Sequence, residues 1–256
     1  MSTTVPSAGV TAADQAPDGA SVVGLRVQLV CAWSGVAMLA LFVIGWVFLA
    51  RMVPPPAPLA SGEEIKAFFM TDLTSKRIGL ALCICVWGLL IPWATAMAAQ
   101  TRRAERGFPT LTLIQIACAT CMAALGVIML VLWSVAAFRP DELAADTTRM
   151  LNDIGWFIFL IDWAPVTVWM WALGAAILLD HNAVPVFPRW SAWLSIWIGL
   201  ISFPGSLILF FKTGAFAFDG ILAFWLVAGV FFLWFGVISA LLIQKLRGQI
   251  RALAQP

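Results

Sequence analysis

The chain has 256 residues, of which 62% are hydrophobic and 11% charged, and its formal net charge is +2. Such an apolar composition excludes an ordinary water-soluble domain and predicts helices that cross a membrane. The small net charge and the lack of a long basic run argue against nucleic acid as a partner.

Six long apolar runs take up most of the sequence, and most of the charged residues fall between them. Each run is close to the about 20 residues that an α-helix needs to cross a bilayer. The sequence therefore predicts an all-α, polytopic transmembrane helical bundle. Its six spanning helices are expected at residues 26–50, 78–99, 110–137, 152–179, 188–211 and 219–244.

The two ends of the chain differ from this apolar centre. The first 20 residues contain no Lys or Arg and no apolar core, so they do not fit a signal peptide. We predict a disordered polar tail over residues 1–24, a transmembrane domain over 25–246 and a short basic tail over 247–256.

The basic residues indicate the orientation of the bundle. One side of the predicted topology carries eight of them in short loops and the last segment, with few acidic neighbours: Arg26, Arg102, Arg103, Arg106, Arg189, Lys245, Arg247 and Arg251. On the other side, seven basic residues are mixed with many acidic ones. Because cytoplasmic loops are enriched in Lys and Arg, we predict that both termini are cytoplasmic.

Several local signals mark the ends of helices. Three prolines that begin at Pro54 end the first span. Ser61 and Glu64 have capping-box spacing and open an amphipathic turn that we expect on the outer membrane surface. Phe-Pro pairs ending in Pro109 and Pro188 predict proline at the first position of the third and fifth spans.

Asp162 is the most unusual residue of the spans. It lies about ten residues into the fourth span, or about 15 Å deep, where a carboxylate costs about 3 kcal/mol. Pro165 has no N–H to donate to the carbonyl of Ile161, so a freed carbonyl oxygen accompanies the carboxyl group. Together they resemble half of a site for a cation or a proton, and Trp163 and Trp169 are candidates for the wall of an apolar pocket.

The alternative for Asp162 is structural. A protonated carboxyl group that is hydrogen-bonded to Ser, Thr or Gln115 on a neighbouring helix would also be stable. For the tryptophans, packing is the alternative to ligand binding.

A second group of polar residues is expected at the outer ends of the spans. They are predicted to form either a polar mouth above Asp162, an anion-binding rim, or merely charged caps at the helix ends. These residues are Arg77, Arg139, Asn152, Asp153, Lys212 and Asp219.

Metal and cofactor chemistry is not expected. Cys83 and Cys85 point to opposite sides of one helix, and the pair Cys118 and Cys121 lies at a different depth. His181 is the only histidine, which excludes bis-histidine haem and His-rich di-iron sites. The sequence therefore predicts no catalytic residue, no metal and no cofactor.

Two segments carry a family resemblance. The stretches VFPRW at 186–190 and SFPGSLILFFKTGAFAFDGILAFW at 202–225 resemble an uncharacterised family of small bacterial membrane proteins that is frequent in actinomycetes. The likeness extends more weakly to residues 76–79 and 151–153, and Asp162 lies outside it. The resemblance implies six helices and a place in the bacterial inner membrane, but no activity. It draws attention to Arg77, Asn152, Asp153, Pro188, Arg189, Lys212 and Gly220.

Three functions are compatible with these features. The first is binding or transport of an apolar small molecule or lipid in a pocket of the bundle, with a homo-oligomer as one way to build it.

The second is a non-catalytic subunit that packs against a larger membrane complex. Small residues at Ala94, Ala98, Gly229 and Gly236 would suit it, although ordinary bundle packing also explains them. The third is a membrane enzyme that uses Asp162 or Asp153 as acid and base, which lacks a partner group or cofactor.

Overall fold

The computed structural model describes residues 21–254, and within this range every regular element is helical. Residues 1–20 of the tail predicted over 1–24, and the last two residues of the chain, lie outside the described part. The α-helices are α1 Val22–Val43, α2 Gly62–Met70, α3 Leu73–Trp87, α4 Leu90–Thr101, α5 Thr110–Phe138, α6 Ala145–Ile161, α7 Trp163–Leu178, α8 Arg189–Ile201 and α9 Val227–Ala254. Short π-helical and 3-10 segments extend or join them at Ile44–Leu49, Arg102–Ala104, Phe203–Leu209 and Ile221–Leu226.

The six predicted spans are confirmed. Together these segments form six helices that are long and apolar enough to cross a membrane: Val22–Leu49, Leu73–Ala104, Thr110–Phe138, Ala145–Leu178, Arg189–Leu209 and Ile221–Ala254. Three observed spans begin earlier than predicted: the first at Val22 instead of 26, the second at Leu73 instead of 78 and the fourth at Ala145 instead of 152. The difference is largest in the fourth, because residues 145–151 are largely polar and hydropathy alone does not detect them.

Two predicted tails are shorter than expected. Helix α1 already begins at Val22, with Ser21 as its cap, so residues 22–24 do not belong to a disordered tail. At the other end, residues 247–254 continue α9, and both Leu246 and Gln249 are buried there. The last turns of α9 are amphipathic, so their apolar side packs on the bundle although the segment is basic overall.

The helices pack in a ring around an aromatic core. Helix α7 packs against α8 and α5, α5 also packs against α6, and the first and last spans lie side by side through α1 and α9. Large apolar side chains also cover the outside, as expected for a surface that meets lipid: Val30, Phe48, Phe108, Trp190, Trp193, Trp197 and Leu233 are each more than half exposed. Trp190, Trp193 and Trp197 form an exposed stripe along α8. Indole side chains are enriched where a span meets the membrane–water interface.

Helix α2 covers the outer end of the bundle. Its capping box is confirmed, since the Ser61 hydroxyl accepts from the Glu64 N–H at 3.2 Å and the Glu64 carboxylate accepts from the Ser61 N–H at 2.7 Å. This bonding to Ser61 lowers the pKa of Glu64. Ile65 and Phe69 are buried, and α2 packs on α6, so protein rather than lipid covers its apolar side.

The two prolines that were expected at the first position of the third and fifth spans lie one residue before it. Pro109 and Pro188 are the caps of α5 and α8, and the helices begin at Thr110 and Arg189. The free N–H groups at the start of α5 are bonded by Glu105 instead, whose carboxylate accepts from the N–H groups of Leu111 at 2.7 Å and Thr112 at 2.8 Å.

Replacing Glu105 by alanine should lower stability by about 1 kcal/mol at pH 7. Partial burial raises the pKa of Glu105, but the bonds from Thr112 and Leu111 outweigh it and bring the pKa below the usual 4.5. The stabilisation is therefore complete above pH 4.5 and is lost as the pH falls through the lowered pKa of the folded state. Thermal unfolding in detergent at pH 7 and at about pH 3 measures the difference.

Glu142→Ala is the matched control. The Glu142 side chain is 63% exposed and pairs only with Arg139, at 3.4 Å. Its removal should cost less than about 0.5 kcal/mol. An equal loss for Glu105→Ala at both pH values would show that the charge of Glu105 does not stabilise α5.

Candidate functional site

Three of the spans are interrupted, and the interruptions meet at one level of the bundle. The second span breaks between α3 and α4 at Gly88 and Leu89, the fourth at Asp162, and the fifth after Ser202, where the chain continues as a 3-10 turn. A proline follows each break within four residues, at Pro92, Pro165 and Pro204. Each proline lacks an N–H, so the carbonyl four residues before it loses its helical partner.

A cavity lies where these breaks meet. We call it the central cavity; its volume is about 60 Å³, room for about four to six water-sized groups at about 10–15 Å³ each. All six spans contribute to its wall. The lining residues are Phe42, Trp87, Met122, Gly126, Met129, Phe159, Leu160, Asp162, Trp163, Val166, Ser202, Val227, Ala228, Phe231 and Phe232.

Only two of these lining side chains, Asp162 and Ser202, carry oxygen atoms. The Ser202 hydroxyl donates to the carbonyl of Ile198 at 2.9 Å. Among the hydrogen bonds and ion pairs between residues 21 and 254, none reaches the carboxyl oxygens of Asp162. The expected alternative partner Gln115 is engaged elsewhere, with Thr101 at 3.1 Å. The acid of the cavity thus has no neutralising group among the described residues.

Two layers of tryptophan enclose the central cavity along the membrane normal. The outer tryptophan layer consists of Trp46, Trp133 and Trp156, whose ring centroids are 4.9–6.4 Å apart. The inner tryptophan layer consists of Trp93, Trp169 and Trp234, with centroids 5.8–6.1 Å apart. All six rings are fully buried. These layers separate the cavity from both membrane surfaces.

The four residues predicted to bind a ligand divide into two pairs. Asp162 and Trp163 line the central cavity, and the Trp163 indole N–H donates to the Ser206 hydroxyl at 2.6 Å. Trp169 belongs instead to the inner tryptophan layer. Pro165 lies outside the lining and acts on the cavity only through the break that it creates.

The six predicted outer residues do not form a common cluster. Arg77 donates to the carbonyls of Ala137 and Phe138, at 2.9 and 2.7 Å, and so caps the end of α5. Arg139 is 3.4 Å from Glu142.

The remaining four also have local environments. Asn152 is buried, and its side-chain oxygen accepts from the Trp156 indole at 3.2 Å. Asp153 accepts from Asn152 and lies 3.8 Å from Arg149. Lys212 is exposed and Asp219 half-buried. These contacts stabilise the ends of the helices and the outer tryptophan layer.

Lys76 is a buried cation that the sequence reasoning missed. Its ammonium group donates to the carbonyl of Ala50 at 2.6 Å and lies 3.9 Å from the centre of the Phe68 ring. The feature of the sequence that points to this burial is a charged residue in the first turn of the second span, close to a short helix with an apolar face. Lys76 thus joins α2 to the end of the first span.

A chain of buried amides near the inner surface was missed as well. The Gln100 side chain donates to Gln28 at 2.6 Å and accepts from Gln249 at 3.0 Å, which joins the first, second and sixth spans. The signal was a glutamine within or beside each apolar run.

Comparison with models of known protein families, with curated proteins and with solved structures found no match. The resemblance carried by residues 186–225 stays a prediction. The fold and the site therefore define the class of protein: a multi-pass membrane protein built as an all-α bundle of six spans around a small central cavity.

Arg77→Ala should lower the unfolding temperature in detergent, with a loss of about 1 kcal/mol, because two carbonyls at the end of α5 lose a charged donor. Lys212→Ala, at an exposed position, should have little effect. If Lys212→Ala lowers the unfolding temperature as much as Arg77→Ala does, the loss of stability cannot be attributed to the bonds between Arg77 and the end of α5.

Proposed function

We propose that the protein lies in the cytoplasmic membrane of a bacterium, with both termini inside, and binds or transports a small, largely apolar molecule in the central cavity. The observation that carries this proposal is the position of the cavity: it lies where three interrupted spans meet around Asp162. Interrupted helices around a site near the bilayer midplane are a recurring feature of transporters.

The wall of the cavity favours an apolar ligand. Apart from Asp162 and Ser202, it consists of aliphatic, aromatic and thioether side chains and one glycine. Burial of apolar surface contributes about 25 cal/mol per Å². An enzyme that uses Asp162 is the weakest alternative, because Ser202 is the only other side chain of the lining with an oxygen atom and its hydroxyl is bonded to Ile198.

Two neighbouring residues of α9 provide a matched test. Ala228 lines the cavity, whereas a Cβ atom at Gly229 would have nothing within 4 Å. Ala228→Leu should fill the cavity and reduce bound ligand at least about tenfold, while Gly229→Leu should leave it unchanged. The measurement is native mass spectrometry of each protein, purified in mild detergent from the membrane in which it is made.

A co-purifying small molecule that both variants retain equally would overturn binding in this cavity. Binding in this cavity would also be overturned if the wild-type protein carried no small molecule and bound none of a set of apolar compounds.

The outward side of α9 favours the subunit function as a second candidate. Neither Gly229 nor Gly236 has a neighbour within 4 Å of an added Cβ, so these glycines do not serve packing within the described chain. Small residues on a lipid-facing side allow another helix to approach closely. A subunit should lose a co-purifying polypeptide in Gly229→Leu but keep it in Ala228→Leu, the reverse of the pattern for ligand binding.

The distribution of charge supports the proposed orientation. Among the described residues, the inner side carries the eight basic residues named above and only two acidic ones, Glu105 and Asp180. A green fluorescent protein fused to the C-terminus should therefore fluoresce, and an alkaline phosphatase fused there should be inactive. Active phosphatase in that position would reverse the assignment.

A further inference from the structure

We infer that the molecule held in the central cavity carries an organic ammonium group, which lies against the carboxylate of Asp162. This inference rests on the proposed function, since it names the chemical class of the ligand at the same site. Three properties of the cavity lead to it: an acid without a partner, a wall of aromatic rings and a shortage of oxygen atoms.

The acid requires a positive charge that the described residues do not provide. No Lys, Arg or His among residues 21–254 pairs with Asp162, and no hydrogen-bond donor in this range reaches its carboxyl oxygens. A lone carboxylate in the middle of a span is unfavourable. A ligand that brings its own cation offsets part of this cost as it enters.

The aromatic rings favour a cation of organic character. Phe42, Phe159, Trp163, Phe231 and Phe232 line the cavity together with Trp87. The face of an aromatic ring attracts ammonium groups, and several rings around one site form the cage that recognises methylated ammonium. The alkyl groups of such a ligand would contact the remaining apolar wall.

A metal ion does not fit the same wall. Hard metal cations take about six or more oxygen ligands, and the lining has two side chains with oxygen. In the described part of the chain, no three His, Cys, Asp or Glu side chains come together. A trimethylammonium head, with four non-hydrogen atoms, fits the room for about four to six water-sized groups, and a hydroxyethyl chain on its nitrogen would extend beyond that room.

Choline and 3,3-dimethylbutan-1-ol form the decisive pair of probes, because they differ only in a charged nitrogen in place of a carbon. Calorimetric titration of the full-length protein in detergent should show that choline binds at least about tenfold more tightly than the alcohol. This wild-type ratio needs no variant. In Asp162→Asn the advantage of choline should disappear while binding of the alcohol is retained.

Asp153→Asn is the control, since Asp153 lies on the same span and outside the lining. It should keep the preference for choline. Trp163→Leu should weaken choline more than the alcohol, through loss of one ring of the cage, and provides a second variant if Asp162→Asn does not fold.

The outcomes separate the two proposals. Equal binding of choline and the alcohol to the wild-type protein would overturn the ammonium inference and leave the cavity as an apolar binding site. A preference for choline that survives in Asp162→Asn would also overturn it. If neither probe binds and Ala228→Leu changes no co-purifying molecule, the ammonium inference and the proposed function both fall.

Discussion

Backbone hydrogen bonding in lipid is the constraint on which this architecture depends. A peptide group without a partner costs several kcal/mol in hydrocarbon, so a helix can be interrupted only where protein surrounds it. In this bundle the second, fourth and fifth spans are all interrupted, and Trp87, Asp162 and Ser202, which lie at or beside the three breaks, all line the central cavity. Surrounding protein also bonds the freed backbone: the Ser34 hydroxyl of the first span donates to the carbonyl of Leu89 at 3.0 Å.

The tryptophan layers determine how this central space is closed. Each layer takes one indole from each of three spans, so bulky flat rings fill the cross-section where the spans would otherwise need many smaller side chains. Glycine makes room for two of these rings, since a Cβ at Gly35 would collide with Trp93 and one at Gly155 with Trp133. In the same way, a Cβ at Gly126 would collide with Trp87 of the cavity wall. The pairing of a glycine with a facing indole couples the sequence of one span to that of another.

The spans and the depth of Asp162 were predictable because both follow from local counting along the chain. The capping box at Ser61 was predictable for the same reason. Counting places Trp169 on the same face as Asp162 but about 10 Å further along the helix axis. Whether the cavity extends that far depends on the packing of the other spans, and in this bundle Trp93 and Trp234 pack against Trp169 in a separate layer.

The outer polar residues show a second limit of the sequence. That Arg77, Asn152 and Lys212 belong to the outer side follows from topology, but their partners are set by packing between spans. Arg77 finds the end of α5, and Asn152 finds two indoles. Lys76 was overlooked because its burial depends on α2, whose docking on the bundle no spacing rule specifies.

The glutamine chain has a consequence for the order of assembly. Because a chain is synthesised from its N-terminus, the first two spans meet well before the last one exists. Gln28 and Gln100 can bond each other at that stage, which keeps the growing bundle from exposing an unbonded amide to lipid. Gln249 arrives with the final turns and bonds to Gln100 as α9 packs beside α1. The sixth span therefore acts as a latch, and a chain truncated before it would leave the ring open between its first helix and its fifth span.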